Sequence, residues 1–425
     1  MTARFARRHS LGRSAPLLAG LLIQAGCTYL TLIVAGRLLG AARFGGLAAL
    51  YVAVTTMATG LFLPVEQEIA RRYGHDRVET NGEGYLIRRT TALAMSAAGV
   101  VIAAAVVAHG LTLHILNGEV HLLVALCIAL PGYACCFVSR GLFSGTGELP
   151  RYGVQLGVEG VFRLAGVAAL AVAHEHSVAP IGYLFAAAPW VALAVSLFGR
   201  ARQQEHGTAA RRPLVRPLGL LLVSALAAQV LVNSGPLVVQ VLSNPEQRAR
   251  AGAFLAALVV VRVPVFLFTA VQPSFLPAMA AHNAANRRRE FVRLVRGVAS
   301  ACVALTVATT VVMTVAGAWA LRLLFDFRAG LSDVQFLALG LAVGLFLLST
   351  VLAQALLARG LHAATSLGWL AGLVGLAAGA AAVGDPVTRA TTGLLTGALV
   401  ACMTFALLLS ISVRQWRLNL VEELT

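Results

Sequence analysis

Residues 200–217 read RARQQEHGTAARRPLVRP, with five arginines, two prolines and one glutamate, and both flanks of the stretch are apolar. On each side the sequence falls into six apolar segments of about 20–28 residues, enough for a helix to cross a hydrocarbon core about 30 Å thick. The segments are 15–39, 44–68, 91–114, 119–142, 153–174 and 178–199, then 218–242, 251–276, 297–321, 331–357, 361–383 and 390–413. The stretch therefore separates two sets. Residues 1–199 form an N-terminal six-helix bundle, 200–217 a cytoplasmic linker, 218–413 a C-terminal six-helix bundle, and 414–425 a cytoplasmic tail. The predicted fold class is an all-α polytopic membrane protein of about twelve transmembrane helices.

The charges agree. All 33 basic residues are arginine, and hydrophobic residues make up 59% of the chain against 12% charged. A soluble domain carries about 25% charge. Numbering the gaps from a cytoplasmic N-terminal tail, 24 arginines, Arg140 among them, fall in the even gaps and tails. Seven fall in the odd gaps, and Arg163 and Arg262 lie inside spans. This asymmetry follows the positive-inside rule and places both termini in the cytoplasm of a cell with one inner (plasma) membrane to cross. A net charge of +16 otherwise points to nucleic acid, but arginines in short loops beside spans meet lipid headgroups, so no nucleic-acid partner is expected. Arg7-Arg8 imitates an export signal. The long apolar run behind it, without a small-residue cleavage site, reads as an uncleaved first span.

The two sets resemble a repeat. Aligning Phe62 with Phe268 also superposes Val65 on Val271 and Glu66 on Gln272, and Arg140-Gly141-Leu142 corresponds to Arg359-Gly360-Leu361. Six spans per set start both halves on the same side, the arrangement of parallel repeats facing a central cleft.

Polar groups in hydrocarbon are expensive and normally face the bundle interior or a wet cavity. Glu159 and Arg163, four apart, share a helix face and can neutralise each other. Arg262 sits mid-span with no acidic residue within one turn, and Pro264 behind it interrupts the backbone ladder. Glu66, matched by Gln272, is the candidate cation or proton site. Gln24 and Asn233, in the first helix of each half, are placed to face the cleft. The run Gly368, Gly372, Gly375, Gly379 has the spacing of close helix packing. The six cysteines all lie in apolar segments and read as small core residues. His174-Glu175-His176 has no third partner, so no metal site and no cofactor is expected. Nucleotide-binding and hydrolase motifs are missing, and the chain is read as no enzyme.

Gly36-Arg37-Leu38-Leu39-Gly40 with Phe44-Gly45, Arg140-Gly141-Leu142-Phe143-Ser144-Gly145 with Arg151-Tyr152-Gly153, and Arg262-Val263-Pro264 through Val271-Gln272 resemble the polysaccharide-biosynthesis (Wzx-like) flippases. These belong to the multidrug/oligosaccharidyl-lipid/polysaccharide (MOP) superfamily. The resemblance implies a MATE-like fold, two six-helix bundles around a cationic central cleft. It also implies alternating-access transfer of an undecaprenyl-pyrophosphate-linked oligosaccharide to the outer leaflet. It further implies that Arg163 and Arg262 face the pyrophosphate or acidic sugars. Glu159, Gln24, Asn233 and Gln272 are the further substrate-binding candidates, with Glu66 coupling an ion. Expected partners are the lipid-linked oligosaccharide, membrane lipids, and the polysaccharide polymerase and glycosyltransferases of the same pathway. The alternatives are a MATE-type drug or cation antiporter and, with a different chemistry, a membrane glycosyltransferase or O-antigen ligase. The last needs a sizeable extracytoplasmic loop, and none of the predicted ones exceeds about ten residues.

Overall fold

Backbone groups in hydrocarbon find no water, so a spanning chain must satisfy them within the segment. This chain does so with helices. The computed structural model describes residues 2–75, 83–198, 215–327, 331–382 and 384–422. Along it run α1 (Thr2–Met57), a π-helical turn (Ala58–Phe62), α2 (Leu63–His75), α3 (Glu83–Val107), α4 (His109–Ile115), α5 (Val120–Thr146), α6 (Leu149–Val172) and α7 (Val178–Leu197). They are followed by α8 (Val215–Leu242), α9 (Arg248–Val261), α10 (Val263–Ala284), α11 (Arg288–Phe325), α12 (Asp333–Ala358), α13 (His362–Ala380) and α14 (Pro386–Glu422).

Among the described residues, ten helical stretches are long and apolar enough to cross a membrane. One of them, Ala15–Tyr73, contains the first two predicted spans. The predicted span 251–276 is divided into α9 and α10 at Arg262, and many side chains of α10 lie outside the described ones, so it is not counted among the ten. Counted this way, the twelve predicted crossings are present as all-helical chain.

Gly40 divides α1 between the first two predicted spans. Its backbone (φ 72°, ψ 164°) is non-helical and in a region open to glycine alone. Gly20 abuts Gly153, whereas Gly141 abuts Glu66 and Ile69. Gly141 and Gly153 flank the tight turn between α5 and α6, so residues 20 and 66 lie at one end of the bundle. The chain must reverse between them, and Gly40 is the break. At that turn Arg43 donates to the His176 carbonyl at 3.1 Å and His176 Nδ1 donates to the Leu38 carbonyl at 2.9 Å. The His174–His176 loop thus fastens a hairpin.

The chain forms two compact units, Met1–Ala225 and Leu226–Thr425. The predicted linker lies largely outside the described residues. In the first unit α1 packs on α6 through Gly20, Gly153 and Gly160, where any Cβ would meet backbone. In the second unit α13 and α14 approach through Gly368, Gly372, Gly375 and Gly379, all buried. Across that seam Thr396 Oγ1 donates to the Gly375 carbonyl (2.8 Å) and Thr392 Oγ1 to the Gly379 carbonyl (2.9 Å). Trp369 packs edge-on against Phe405 at 4.9 Å in the same core.

The outer faces are apolar. On α11, Val303, Val307, Val311, Val315, Trp319 and Leu323 are exposed at successive four-residue steps, and on α14 Leu399, Met403, Leu407 and Ile411 repeat the pattern. Continuous exposed stripes of this length are stable against lipid and not against water.

Candidate functional site

The polar residues of α6 fall on one stripe. Tyr152, Gln155, Glu159 and Arg163 follow one another at three- or four-residue steps, the spacing of one helical face. That face is turned inward: Gln155, Glu159 and Arg163 are buried. Opposite them α5 places Tyr133 and Arg140 two turns apart, both buried.

Glu159 is the hub. Its Oε2 accepts from Arg140 Nη2 at 2.6 Å. Its Oε1 accepts from the Tyr133 hydroxyl at 2.7 Å and from Arg163 Nη2, which also donates to the Tyr133 oxygen. Arg140 Nε donates to Gln155 Oε1 (3.3 Å), and Gln155 Nε2 donates to Ser139 Oγ (2.9 Å). The two guanidiniums also lie over rings, Arg140 over Phe137 at 5.0 Å and Arg163 over Phe185 at 5.2 Å. Two cations share one carboxylate, so the hub's own charge is positive, and a cation over an aromatic face recovers part of the lost hydration. The space beside Tyr133 and Phe185 is about 10 Å³, at most room for a single water.

Glu66 closes the network from α2. It is 7% exposed, and its Oε1 accepts from the Tyr152 hydroxyl at 2.6 Å. Its Oε2 is buried and has no hydrogen-bond partner. Glu68, two residues along the helix, is instead held by Arg71 (2.8 Å) and Arg72 (2.7 Å).

The second unit holds a further intramembrane cation. Arg262 is where α9 ends and α10 begins, and Pro264 begins the new helix without an N–H to place. The guanidinium reaches α8, donating to Asn233 Oδ1 at 2.9 Å and to the Val232 carbonyl. Asn233 Nδ2 in turn donates to Gln229 Oε1 at 3.1 Å. A broken helix, an arginine and two amides therefore meet inside one unit. The repeat adds to this. With Phe62 aligned on Phe268, the π-helical turn Ala58–Phe62 coincides with the start of α10, so both halves are irregular at matching positions.

Of the residues singled out in the sequence, the structure brings Glu159 and Arg163 together, and Arg262 with Asn233. Gln24 is half-buried on α1, where its backbone abuts Gly160, next to Glu159. Gln272 lies outside the residues whose side chains are described. Sequence reasoning placed Arg140 with a basic loop, which the structure corrects: the residue is buried within α5. Tyr133 and Tyr152 were also missed. α5 stays helical to Thr146, six residues beyond Arg140, which keeps that residue inside the bundle. No sequence signal existed for the tyrosines, which act across helices.

No family model matches the chain. It is 27% identical over 393 residues to uncharacterized proteins of Mycobacterium tuberculosis and Mycobacterium bovis, covering 89% of this chain and 87% of theirs. Solved structures give the fold. The inward-facing conformation of a multidrug resistance MATE family transporter of the MOP superfamily matches with a TM-score of 0.73 at 12% identity, over 94% of this chain and 99% of that one. A mutant MATE transporter of Vibrio cholerae matches with 0.66 at 15% identity, over 95% and 96%. The chain is a multi-pass membrane protein with the fold of the MATE transporters of the MOP superfamily.

Proposed function

We propose that this protein is a transporter that flips a polyprenyl-pyrophosphate-linked oligosaccharide, a polysaccharide precursor, to the outer leaflet of the plasma membrane by alternating access, with both termini cytoplasmic. Such a lipid does not flip unaided, because phosphates and sugars lose their hydration in hydrocarbon. A guanidinium fixed at membrane depth replaces part of that hydration with charge-assisted hydrogen bonds. The observation that carries the reading is Arg262 at the helix break, presented with Asn233 on a segment whose backbone ladder is already interrupted. Within the first unit, Arg163, Glu159 and Gln24 are the further contacts of the head in this proposal. Arg140 and Arg163 sustain a positive field around their shared carboxylate. Glu66, with one oxygen held by Tyr152 and the other unpartnered, is the site where a proton or cation is taken up and released. The pathway's polymerase and glycosyltransferases are the proposed partners.

The test is Arg262→Ala in a strain lacking the native gene, with surface polysaccharide and membrane protein level both measured. Loss of polymer at normal protein level is expected. Normal polymer at normal protein level overturns the assignment.

A second reading is an organic-cation antiporter. Glu66 favours it, because a buried carboxylate with an unpartnered oxygen is also a cation ligand. Resistance to cationic dyes that disappears in Glu66→Gln, with surface polysaccharide unchanged, would select it.

A further inference from the structure

Away from the polar network, α10 and α11 enclose a groove of about 720 Å³ within the second unit. Its walls are hydrocarbon and sulfur: Phe268 and Phe275 from α10, and Val298, Cys302 and Leu305 from α11. Phe268 and Phe275 lie with ring centroids 5.9 Å apart and planes tilted by 31°, making an aromatic side. The opposite side is lowered by Gly297 and Ala301, both exposed, and a Cβ built on Gly297 meets nothing within 4 Å. One end of the groove is polar, lined by His282, Glu290 and Arg293. Arg287, Arg289 and Arg296, close in sequence, are also exposed, so this end of α11 carries an excess of positive charge. From Arg293 to Leu305 the helix rises about 18 Å at 1.5 Å per residue.

A long apolar channel with a cationic mouth matches an amphiphile with a hydrocarbon tail and a phosphate head. A neutral lipid would leave the arginines unused, and a free phosphate would leave the channel empty. We infer that this groove binds the polyprenyl tail of the carrier lipid, with the carrier's phosphate at Arg293 and His282. The inference rests on the flippase reading for the identity of the lipid. It adds a tail-binding site that keeps the carrier attached while its head moves.

The experiment labels the full-length purified protein in detergent micelles with polyprenyl phosphate carrying a photoreactive group on its chain. Neutral polyprenol and phosphatidylglycerol with the same group are the controls. Polyprenyl phosphate is expected to label peptides covering residues 294–305 and to outcompete both controls. Gly297→Trp, which fills open space, is expected to abolish that labelling without unfolding the protein. Arg293→Ala with His282→Ala is expected to lower it about tenfold, the worth of one charge-assisted contact. Equal labelling by polyprenol or by phosphatidylglycerol overturns the inference, as does labelling that survives Gly297→Trp. Labelling is read without transport. A groove that binds while oligosaccharide does not move sinks the flippase reading alone. Oligosaccharide that moves in a Gly297→Trp protein with unchanged kinetics sinks the groove alone.

Discussion

Replacing Glu159 by glutamine removes the single carboxylate that Arg140 and Arg163 share and leaves the fold's shape untouched. In the native protein each guanidinium lies within hydrogen-bond reach of it, Arg140 at 2.6 Å, and Tyr133 adds a third contact at 2.7 Å. Unit charges about 4 Å apart attract by about 4 kcal/mol at an effective dielectric near 20. Removing one member of a buried pair typically costs about 3–5 kcal/mol, because the other is left uncompensated. Here two cations are left, so Glu159→Gln is expected to destabilise the protein by at least that amount. Unfolding in detergent micelles, followed by helical circular dichroism, measures it. Adding Arg163→Gln removes one of the stranded cations. The double variant should therefore be more stable than the sum of the singles predicts, with a coupling of about 1.5 kcal/mol or more. A Glu159→Gln protein within about 1 kcal/mol of the native one, with no coupling to Arg163, would refute the idea that the network is an electrostatic unit.

Three further outcomes follow from local geometry. Gly40→Ala forces a Cβ into a glycine-only conformation and should cost about 1–3 kcal/mol by the same unfolding measurement. Gly372→Leu drives side-chain atoms into Ala401, Leu231 and the Gly397 carbonyl, so it should part α13 from α14 and cost about 1–3 kcal/mol or more, whereas Leu370→Ala on the exposed face should cost little. Asp385 begins α14. Partial burial raises its carboxyl pKa, but the Thr388 hydroxyl (2.5 Å), the backbone N–H groups and Arg250 (3.3 Å) outweigh that and hold it below the usual range. A carboxylate depressed in the folded state stabilises above its unfolded pKa, about 3.9, and that contribution disappears as pH falls through the folded value. Asp385→Ala should therefore cost about 1 kcal/mol at pH 7 and less at pH 3, with the half-exposed Arg250 adding little.

The sequence made the spans, their number and the Glu159–Arg163 pair legible, because apolar length and four-residue spacing are local properties. It also located the interruption of span 8, since Pro264 cannot continue the backbone ladder. The glycine run of α13 was readable for the same reason. Arg140 was not. Counting arginines by gap assigns a residue near a span end to the loop, while its burial is decided by Glu159, nineteen residues away on another helix. Tyr133 and Tyr152 are invisible to spacing, since hydroxyls that reach Glu159 and Glu66 do so only after α2, α5 and α6 are packed. The repeat also diverges where it looked strongest. Arg359, aligned with Arg140, sits at a helix end, stacks over Trp416 at 4.5 Å and donates to the Ser412 carbonyl at 3.0 Å. The shared pattern therefore fixed neither the helix end nor the use of the arginine.

The central claim is that a lipid-linked polar head crosses the membrane through this protein. Reconstitution of the full-length chain in liposomes with a fluorescent polyprenyl-pyrophosphate-linked oligosaccharide, followed by quenching from one side, measures that crossing directly. The account predicts that the native protein brings the fluorophore to the far leaflet and that Arg262→Ala, equally folded, does not. A native protein that leaves the oligosaccharide in place while exchanging an organic cation for protons would contradict it.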